Sequence, residues 1–405
     1  MSSRFACSNT GLVLPGGGAR GAFQVGVLKA IAELLPSRAC NPFPVISGTS
    51  AGAVNSVVLA SNARHFRLAV KELETVWGHF RSNQVFRTDS WTMFKSSLHW
   101  MAAIILGGLI LGMPRSLLDN KPLRSLLSRN VRFPRIQPAI DGGYLDAVAV
   151  TAASYGTARS KTFFQAAPGK YEWARTRRLG VRDDLHLDHL MASIAVPMIF
   201  PPVSIDGEYF GDGAMRQATP LSPAIHLGAD RILVIGVRDE TADRVSEPRK
   251  AASSPSFAQI AGYMLDTLFM DGLYSDLERM TRINQLIDSV DPVKRTGTFI
   301  KLRPIDTMVI VPSKDVREIA NRHRRELPLP LRALLRGVAG TDPGKNRLLS
   351  FLLFEQGFTH ELIELGYQDA MKVRDELRAF VMGEEVPRLF APSWVARDLS
   401  SFGDR

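Results

Sequence analysis

The pentapeptide Gly48-Thr49-Ser50-Ala51-Gly52 constrains the fold of this chain more than any other segment, because it places a serine between a predicted strand and a predicted helix. The apolar residues 44–46 before it indicate the end of a buried strand, and residues 51–60 after it indicate a helix. Ser50 would then lie on a G-x-S-x-G nucleophile elbow, a tight turn that holds the serine backbone in a sparsely populated conformation. A small-residue turn with a helix cap is the alternative interpretation.

A second glycine-rich segment, residues 15–21 (Pro-Gly-Gly-Gly-Ala-Arg-Gly), follows the apolar strand 11–14. Its glycines match the G-x-G-x-x-G pattern of dinucleotide-binding folds. Such folds expect an acidic residue at the end of the second strand, where this chain has Ser47-Gly48-Thr49-Ser50. In the other interpretation, the amides of Gly17 and Gly18 form an oxyanion hole for acyl transfer, which explains both glycine-rich segments together. Arg20 is compatible with three roles: bracing this loop, contacting a phosphate, or lying solvated at a helix start.

A nucleophilic serine needs a base, and the usual choice is histidine. The chain has eight histidines, and their local contexts favour structural roles for each of them. They are His65, His79, His99, His186, His189, His226, His323 and His360. The alternative base is a carboxylate. Residues 200–214 predict a hairpin with Asp206-Gly207 as its turn, so that Asp212 projects from the far end of the second strand and Gly213 lets the backbone turn away.

With the glycine-rich loop, the elbow and the late Asp-Gly pair in this order, the sequence resembles the patatin-like phospholipases over roughly residues 10–240. Residues 116–123 and 190–202 are also similar to segments of the bacterial members. The resemblance implies a Ser–Asp dyad, in which Ser50 attacks an ester carbonyl and Asp212 deprotonates it. No metal and no other cofactor is implied.

The resemblance also assigns the surrounding residues. The implied oxyanion hole consists of Gly16, Gly17, Gly18 and the amide of Ala51, with Arg20 supporting the loop. The implied elbow support consists of Gly48, Gly52 and Gly213.

The function implied is hydrolysis of the carboxylic esters of phospholipids, lysophospholipids or acylglycerols, with a lipid ester as the main partner. A soluble carboxylesterase or thioesterase with the same dyad is the second hypothesis. A non-catalytic regulator that binds lipid or nucleotide through the glycine loop is the third. The sequence leaves head-group preference, chain length and oligomeric state open.

The predicted fold class is α/β, because strand and helix patterns alternate along the chain. We expect a mostly parallel central sheet flanked by helices, a three-layer sandwich of the patatin type related to the α/β hydrolases. A change in composition near residue 240 divides a catalytic domain (8–240) from a mainly helical extension (241–405) that packs on the catalytic domain or caps it.

The net charge of +10 is spread along the chain, and no nucleic-acid-binding module accompanies it, so no nucleic-acid partner is expected. A basic surface suits transient contact with anionic bilayers, although a generally solvated basic surface explains the charge equally well. Cys7 and Cys40 make no disulfide framework. The first residues carry no apolar signal segment, which favours a cytoplasmic protein with peripheral membrane contact.

Residues 100–113 form an uninterrupted apolar run that is shorter than the roughly 20 residues a spanning helix needs. A buried or cap helix beside the site is the first interpretation, and a membrane-contact element is the second. The basic residues 317–336 predict a solvated helix pair, with a membrane-facing or lid element as the alternative.

Overall fold

A computed structural model describes residues 9–87, 116–217, 220–237, 272–290, 303–333 and 348–391 of the chain. Within these residues the chain forms one mixed sheet with helices on both faces. The apolar run at 100–113 and the expected domain boundary near residue 240 lie outside the described residues.

The strands of the described residues follow in chain order. They are β1 (Thr10–Leu14), β2 (Val45–Thr49), β3 (Ala147–Ser154), β4 (Ser160–Ala166), β5 (Trp173–Arg175), β6 (Arg178–Arg182), β7 (Val203–Ile205), β8 (Glu208–Asp212), β9 (Arg231–Ile235), β10 (Asp306–Ile310) and β11 (Leu389–Phe390).

The spatial order of the sheet is β11-β10-β9-β1-β2-β3-β4-β6-β5, and β8 pairs with the end of β3 while β7 pairs with β8. All neighbours from β11 to β3 are parallel. Antiparallel pairing begins where β4 meets β3. This mostly parallel sheet confirms the predicted fold class, and its central strands β1 and β3 are buried along their whole length because helices cover both faces.

The α-helices of the described residues are α1 (Gly21–Leu34), α2 (Ala51–Ser61), α3 (Phe66–Gly78), α4 (Ser82–Val85), α5 (Lys121–Asn130), α6 (Ile136–Asp141), α7 (Leu187–Ser193), α8 (Ser222–His226), α9 (Leu273–Ser289), α10 (Val316–His323), α11 (Leu349–Leu352), α12 (Gln356–Lys372) and α13 (Arg374–Met382). In the described part of the chain, none of these helices has the length and apolar character needed to cross a membrane.

Two hydrophobic clusters lie on opposite faces of the sheet. The larger one packs α1, α2, α3, α5 and α12 against one face. The smaller one packs α8 and α9 against the other. The basic stretch that begins at residue 317 contains most of α10 and, after the 3-10 turn Arg324–Glu326, a second helical segment at residues 329–333. Arg322 and His323 at the end of α10 both bind Glu361 of α12. The described part of this stretch therefore has two helical segments, as predicted, and the first of them contacts the helical layer through α12.

Residues beyond 300 belong to the same sheet and the same layers. The strand β10 pairs with β9, and β11 pairs with β10. The helix α12 packs so closely on α1 that a side chain on Gly26 would lie 1.9 Å from the carbonyl oxygen of Ile363. The C-terminal part of the chain thus extends the sheet in addition to covering it.

Candidate active site

Ser50 lies at the junction of β2 and α2, at the carboxyl edge of the sheet. Its backbone has φ 54° and ψ −126°, a strained conformation for a residue with a side chain. The flanking glycines are needed for close approach. A Cβ on Gly48 would lie 2.4 Å from the carbonyl oxygen of Gly52, and one on Gly52 would lie 2.0 Å from that of Leu14. The geometry is that of a nucleophile elbow.

Asp212 lies next to Ser50 because β8 ends against β3. The hydroxyl of Ser50 donates a hydrogen bond of 2.7 Å to Oδ2 of Asp212, and both side chains are buried. The other carboxylate oxygen accepts a 2.9 Å hydrogen bond from the amide of Ala214. A Cβ on Gly213 would lie 2.2 Å from the carbonyl oxygen of Thr151, so glycine lets the chain leave the strand here.

The environment of Asp212 changes its proton affinity. Burial raises the pKa of this carboxyl from 3.8 to about 7, although the hydrogen bonds from Ser50 and Ala214 oppose the rise. A carboxylate with a pKa near 7 can accept a proton at neutral pH and return it later, which an exposed aspartate does poorly. The proton affinity of the buried Asp212 carboxyl is therefore suited to a general base.

Ser193 supports the backbone of the elbow through its side-chain hydroxyl. The sequence patterns assigned this residue no role. Its hydroxyl accepts a 2.8 Å hydrogen bond from the amide of Ser50 and donates a 2.7 Å hydrogen bond to the carbonyl of Thr151. The side chain is fully buried at the end of α7. Its position at the end of a short helix just before the predicted hairpin is the only sequence signal that points to it.

The glycine-rich loop lies directly against Ser50. A Cβ on Gly16 would lie 2.9 Å from the Cβ of Ser50, and one on Gly17 would lie 2.5 Å from Cγ2 of Val237. Gly18 has φ +55°, and a Cβ there would lie 2.3 Å from the carbonyl oxygen of Phe351. Ala51 is the first residue of α2, where helix amides lack intrahelical partners and the dipole is positive. The structure thus brings the expected oxyanion-hole residues together around Ser50.

Arg20 braces this loop from its buried side. Its Nε and Nη2 donate hydrogen bonds of 3.0 and 2.6 Å to the hydroxyl of Ser350, and its guanidinium lies 3.8 Å from the ring centre of Phe351. The side chain is only 3% exposed, which excludes the solvated role. Ser350 and Phe351 belong to α11, and no motif in the sequence pointed to them.

An apolar cavity of about 460 Å³ opens beside Ser50. Val54 and Val58 of α2 form one side, while α3 and α5 form its two walls. The segment 348–354 covers the end nearest Ser50, where Phe351 and Phe354 contact the cavity. The charged residues of its lining are Lys71, Glu72, Arg129 and Arg132. The shape and lining suit a flexible apolar chain attached to a group held at Ser50.

The described histidines take no part in the hydrogen bonds of Ser50 and Asp212. Among the described residues, no histidine is a hydrogen-bond partner of Ser50 or Asp212. His189 is fully buried against Phe163, and burial lowers the pKa of its imidazole to about 3. His226 stacks on Trp173, on the opposite face of the sheet from the cavity. Within the described ranges, no group of three or more acidic, histidine or cysteine side chains could hold a metal ion.

The family model for patatin-like phospholipases matches residues 12–225. This span covers more than half of the 405 residues and contains the elbow, the glycine-rich loop and Asp212. The chain belongs to the patatin-like phospholipase family. Membership of this family supports lipid acyl hydrolase activity.

Individual proteins match less of the chain or match it weakly. Lysophospholipase nte1 of Aspergillus terreus is 46% identical over 63 residues, which are 16% of this chain and 4% of that protein. Human GIVD cytosolic phospholipase A2, solved with a fluorophosphonate inhibitor, aligns with a TM-score of 0.42 and 11% identity, over 92% of this chain and 59% of that one. VipD from Legionella pneumophila aligns with a TM-score of 0.33 and 13% identity, over 91% of this chain and 67% of that one.

Proposed function

We propose that this protein hydrolyses the carboxylic esters of phospholipids, lysophospholipids or acylglycerols through a dyad of Ser50 and Asp212. The observation that carries the proposal is the 2.7 Å hydrogen bond from the Ser50 hydroxyl to a buried aspartate, at one end of an apolar cavity. A serine activated by an adjacent base is the arrangement that covalent acyl transfer requires.

The first step in this mechanism is acylation. Asp212 takes the hydroxyl proton as Oγ of Ser50 bonds to the acyl carbonyl carbon, and the carbonyl oxygen becomes an oxyanion. The amides of Gly17, Gly18 and Ala51 stabilise that oxyanion, with Gly16 shaping the loop. The ester C–O bond then breaks, and the leaving alcohol receives the proton from Asp212.

The second step is deacylation. A water molecule loses a proton to Asp212 as its oxygen attacks the acyl carbonyl, and the same amides stabilise the second oxyanion. The bond to Oγ breaks, the Ser50 oxygen recovers the proton, and a carboxylic acid leaves. Asp212 therefore acts as base and acid in turn, which a pKa of about 7 allows at neutral pH.

The cavity supplies substrate selectivity in this proposal. The acyl chain lies along α2 between α3 and α5, where its burial beside Val54 and Val58 removes apolar surface from water. The strained elbow and the brace from Ser350 through Arg20 keep the nucleophile and the glycine loop fixed before substrate binds.

Active-site labelling with a fluorophosphonate tests the dyad. We expect the wild type to label, and Ser50→Ala and Asp212→Asn to lose labelling and hydrolysis of a lipid ester. The chain offers matched controls: Ser61→Ala changes a buried serine on the same helix, and Asp206→Asn changes the other aspartate of the same hairpin. Both controls should label like the wild type.

The outcomes separate the three hypotheses. Labelling that survives Asp212→Asn would refute the dyad and return a histidine as the base. Activity that does not rise when the ester forms aggregates would favour a soluble carboxylesterase or thioesterase over a lipid hydrolase. Absence of both labelling and turnover in folded protein would favour a non-catalytic binder.

A further inference from the structure

A strip of exposed side chains runs along the carboxyl edge of the sheet, beginning at the cavity. Met198 is 52% exposed with φ 64°, between Val196 and Ile199, which both line the cavity. The strip continues through two half-exposed tyrosines to the turn between β5 and β6. Its members are Met198, Tyr209, Tyr155, Arg159, Arg177 and Arg175, and we call them the edge strip.

Backbone contacts connect the two tyrosines with the loops that carry the arginines, and the hydrogen bond from the amide of Asp212 to the carbonyl of Ala195 brings the segment before Met198 to the end of β8. The amide of Tyr155 binds the carbonyl of Tyr209, which joins the end of β3 to β8. The carbonyl of Arg159 accepts from Ser154, and the carbonyl of Arg177 accepts from Ser160. The loop after β3 and the turn before β6 are therefore neighbours.

The sheet topology places the strip at the edge that carries Ser50. The strand β3 runs parallel to β2, so both end at this edge. Because β4 is antiparallel to β3 and parallel to β6, the strands β4 and β6 both begin there. A flat surface placed against this edge of the sheet would contact the edge strip. The same surface would face the edge at which Ser50 lies.

The charge of the strip is positive. Among the described residues, no carboxylate forms an ion pair with Arg159, Arg175 or Arg177. The nearby Glu208 is already bound by Lys161 at 3.3 Å, and Asp206 at the hairpin turn is the exposed carboxylate beside the strip. Exposed arginines beside tyrosines and a methionine combine attraction for anionic head groups with side chains that suit the interface between water and lipid.

We infer that the edge strip docks the protein on the surface of an anionic phospholipid bilayer, with the elbow facing the lipid. The inference rests on the proposed lipid substrate, which must move from a bilayer or aggregate into the cavity. Charge complementarity selects anionic lipid as the occupant, because the strip concentrates three exposed arginines on one surface of a chain whose net charge is +10.

Vesicle binding of the Ser50→Ala protein tests the inference without hydrolysis. We expect binding to rise when phosphatidylserine replaces part of the phosphatidylcholine, and to fall with added salt. The double change Arg175→Gln/Arg177→Gln should lower the partition coefficient on phosphatidylserine vesicles by about 30-fold, at roughly fivefold for each charge. The matched control Arg38→Gln/Arg378→Gln removes two exposed arginines outside the strip and should change binding by less than about threefold.

Hydrolysis of a short-chain soluble ester separates docking from catalysis. With Ser50 restored, Arg175→Gln/Arg177→Gln should hydrolyse the soluble ester like the wild type but lose activity on phosphatidylserine-containing vesicles. Equal vesicle binding by the strip variant and the control variant would overturn the inference, as would binding that ignores phosphatidylserine. Vesicle binding by a wild-type protein that hydrolyses no ester would instead refute the proposed function without contradicting the docking surface.

Discussion

Replacing Asp212 by asparagine should make the protein more stable while it abolishes turnover. In the folded state burial raises the pKa of Asp212 to about 7, whereas the unfolded chain has 3.8. The folded protein therefore binds the proton more tightly, and its free energy of unfolding falls as pH rises from about 4 to about 7. Asparagine carries no charge and preserves the shape of the side chain. The free energy of unfolding of the Asp212→Asn protein therefore does not fall with pH in this way.

The size of the effect follows from the same pKa values. About three pH units at about 1.4 kcal/mol each give a gain of about 4 kcal/mol for Asp212→Asn above pH 7. With an unfolding entropy of about 2.1 cal/mol/K per residue over 405 residues, this corresponds to a rise in Tm of about 5 °C. Near pH 4 the two proteins should melt at nearly the same temperature.

Thermal unfolding followed by circular dichroism between pH 4 and pH 8 measures this difference. Asp206→Asn is the matched control, because it removes an exposed carboxylate from the turn of the same hairpin. The reasoning is refuted if the Tm difference between Asp212→Asn and the wild type does not grow with pH, or if Asp206→Asn gains as much.

Three further predictions concern the rate. Because Asp212 must be deprotonated to accept the serine proton, kcat/KM should be constant above pH 7 and fall about tenfold per pH unit below it, measured on a soluble ester. Ser350→Ala removes the acceptor of two hydrogen bonds from Arg20 and should lower kcat by about tenfold or more with little change in KM. Ser350→Thr keeps the hydroxyl and should restore kcat. An unchanged kcat in Ser350→Ala would show that the glycine loop does not depend on this contact. Val58→Phe narrows the cavity at a point on α2 that lies about 12 Å from Ser50, at 1.5 Å per residue. Hydrolysis of long acyl esters should therefore fall at least tenfold, while short esters react normally. Equal losses for both lengths would place the acyl chain elsewhere.

Local sequence patterns predicted those parts of the site whose backbone conformation depends on residues that are close together in the chain. The elbow forms where a buried strand meets a helix, and only glycine fits at Gly48 and Gly52. The hairpin turn at Asp206 fixes where β8 ends, and this places Asp212 at the sheet edge. The alternation of strands and helices likewise predicted the mostly parallel sheet, because period and turn residues carry that information.

The parts that sequence patterns missed depend on contacts between distant segments. Ser193 meets Ser50 across 143 positions, and Ser350 meets Arg20 across 330. A buried serine has the same local signature whether it supports a nucleophile or packs in a helix, so neither role could be predicted. The hairpin of β5 and β6 was missed for another reason: its strands are short, polar and at the sheet edge, where the apolar alternation that predicts strands is weak.

These long-range contacts also bear on what constitutes the catalytic unit. The family match ends at residue 225, yet Arg20 binds Ser350, Gly18 lies against the carbonyl of Phe351, and the segment 348–354 covers one end of the cavity. The strand β10 completes the hydrogen bonding of β9 in the same sheet. A fragment that stops near residue 240 would leave the edge of β9 unpaired. It would also remove Ser350, a partner of the buried Arg20, and loss of such a charged hydrogen bond costs about 1.5–3 kcal/mol. We therefore propose that the glycine loop is ordered only when the C-terminal part of the chain, beyond residue 300, is present. In this proposal the C-terminal part completes the site and does not only cover it.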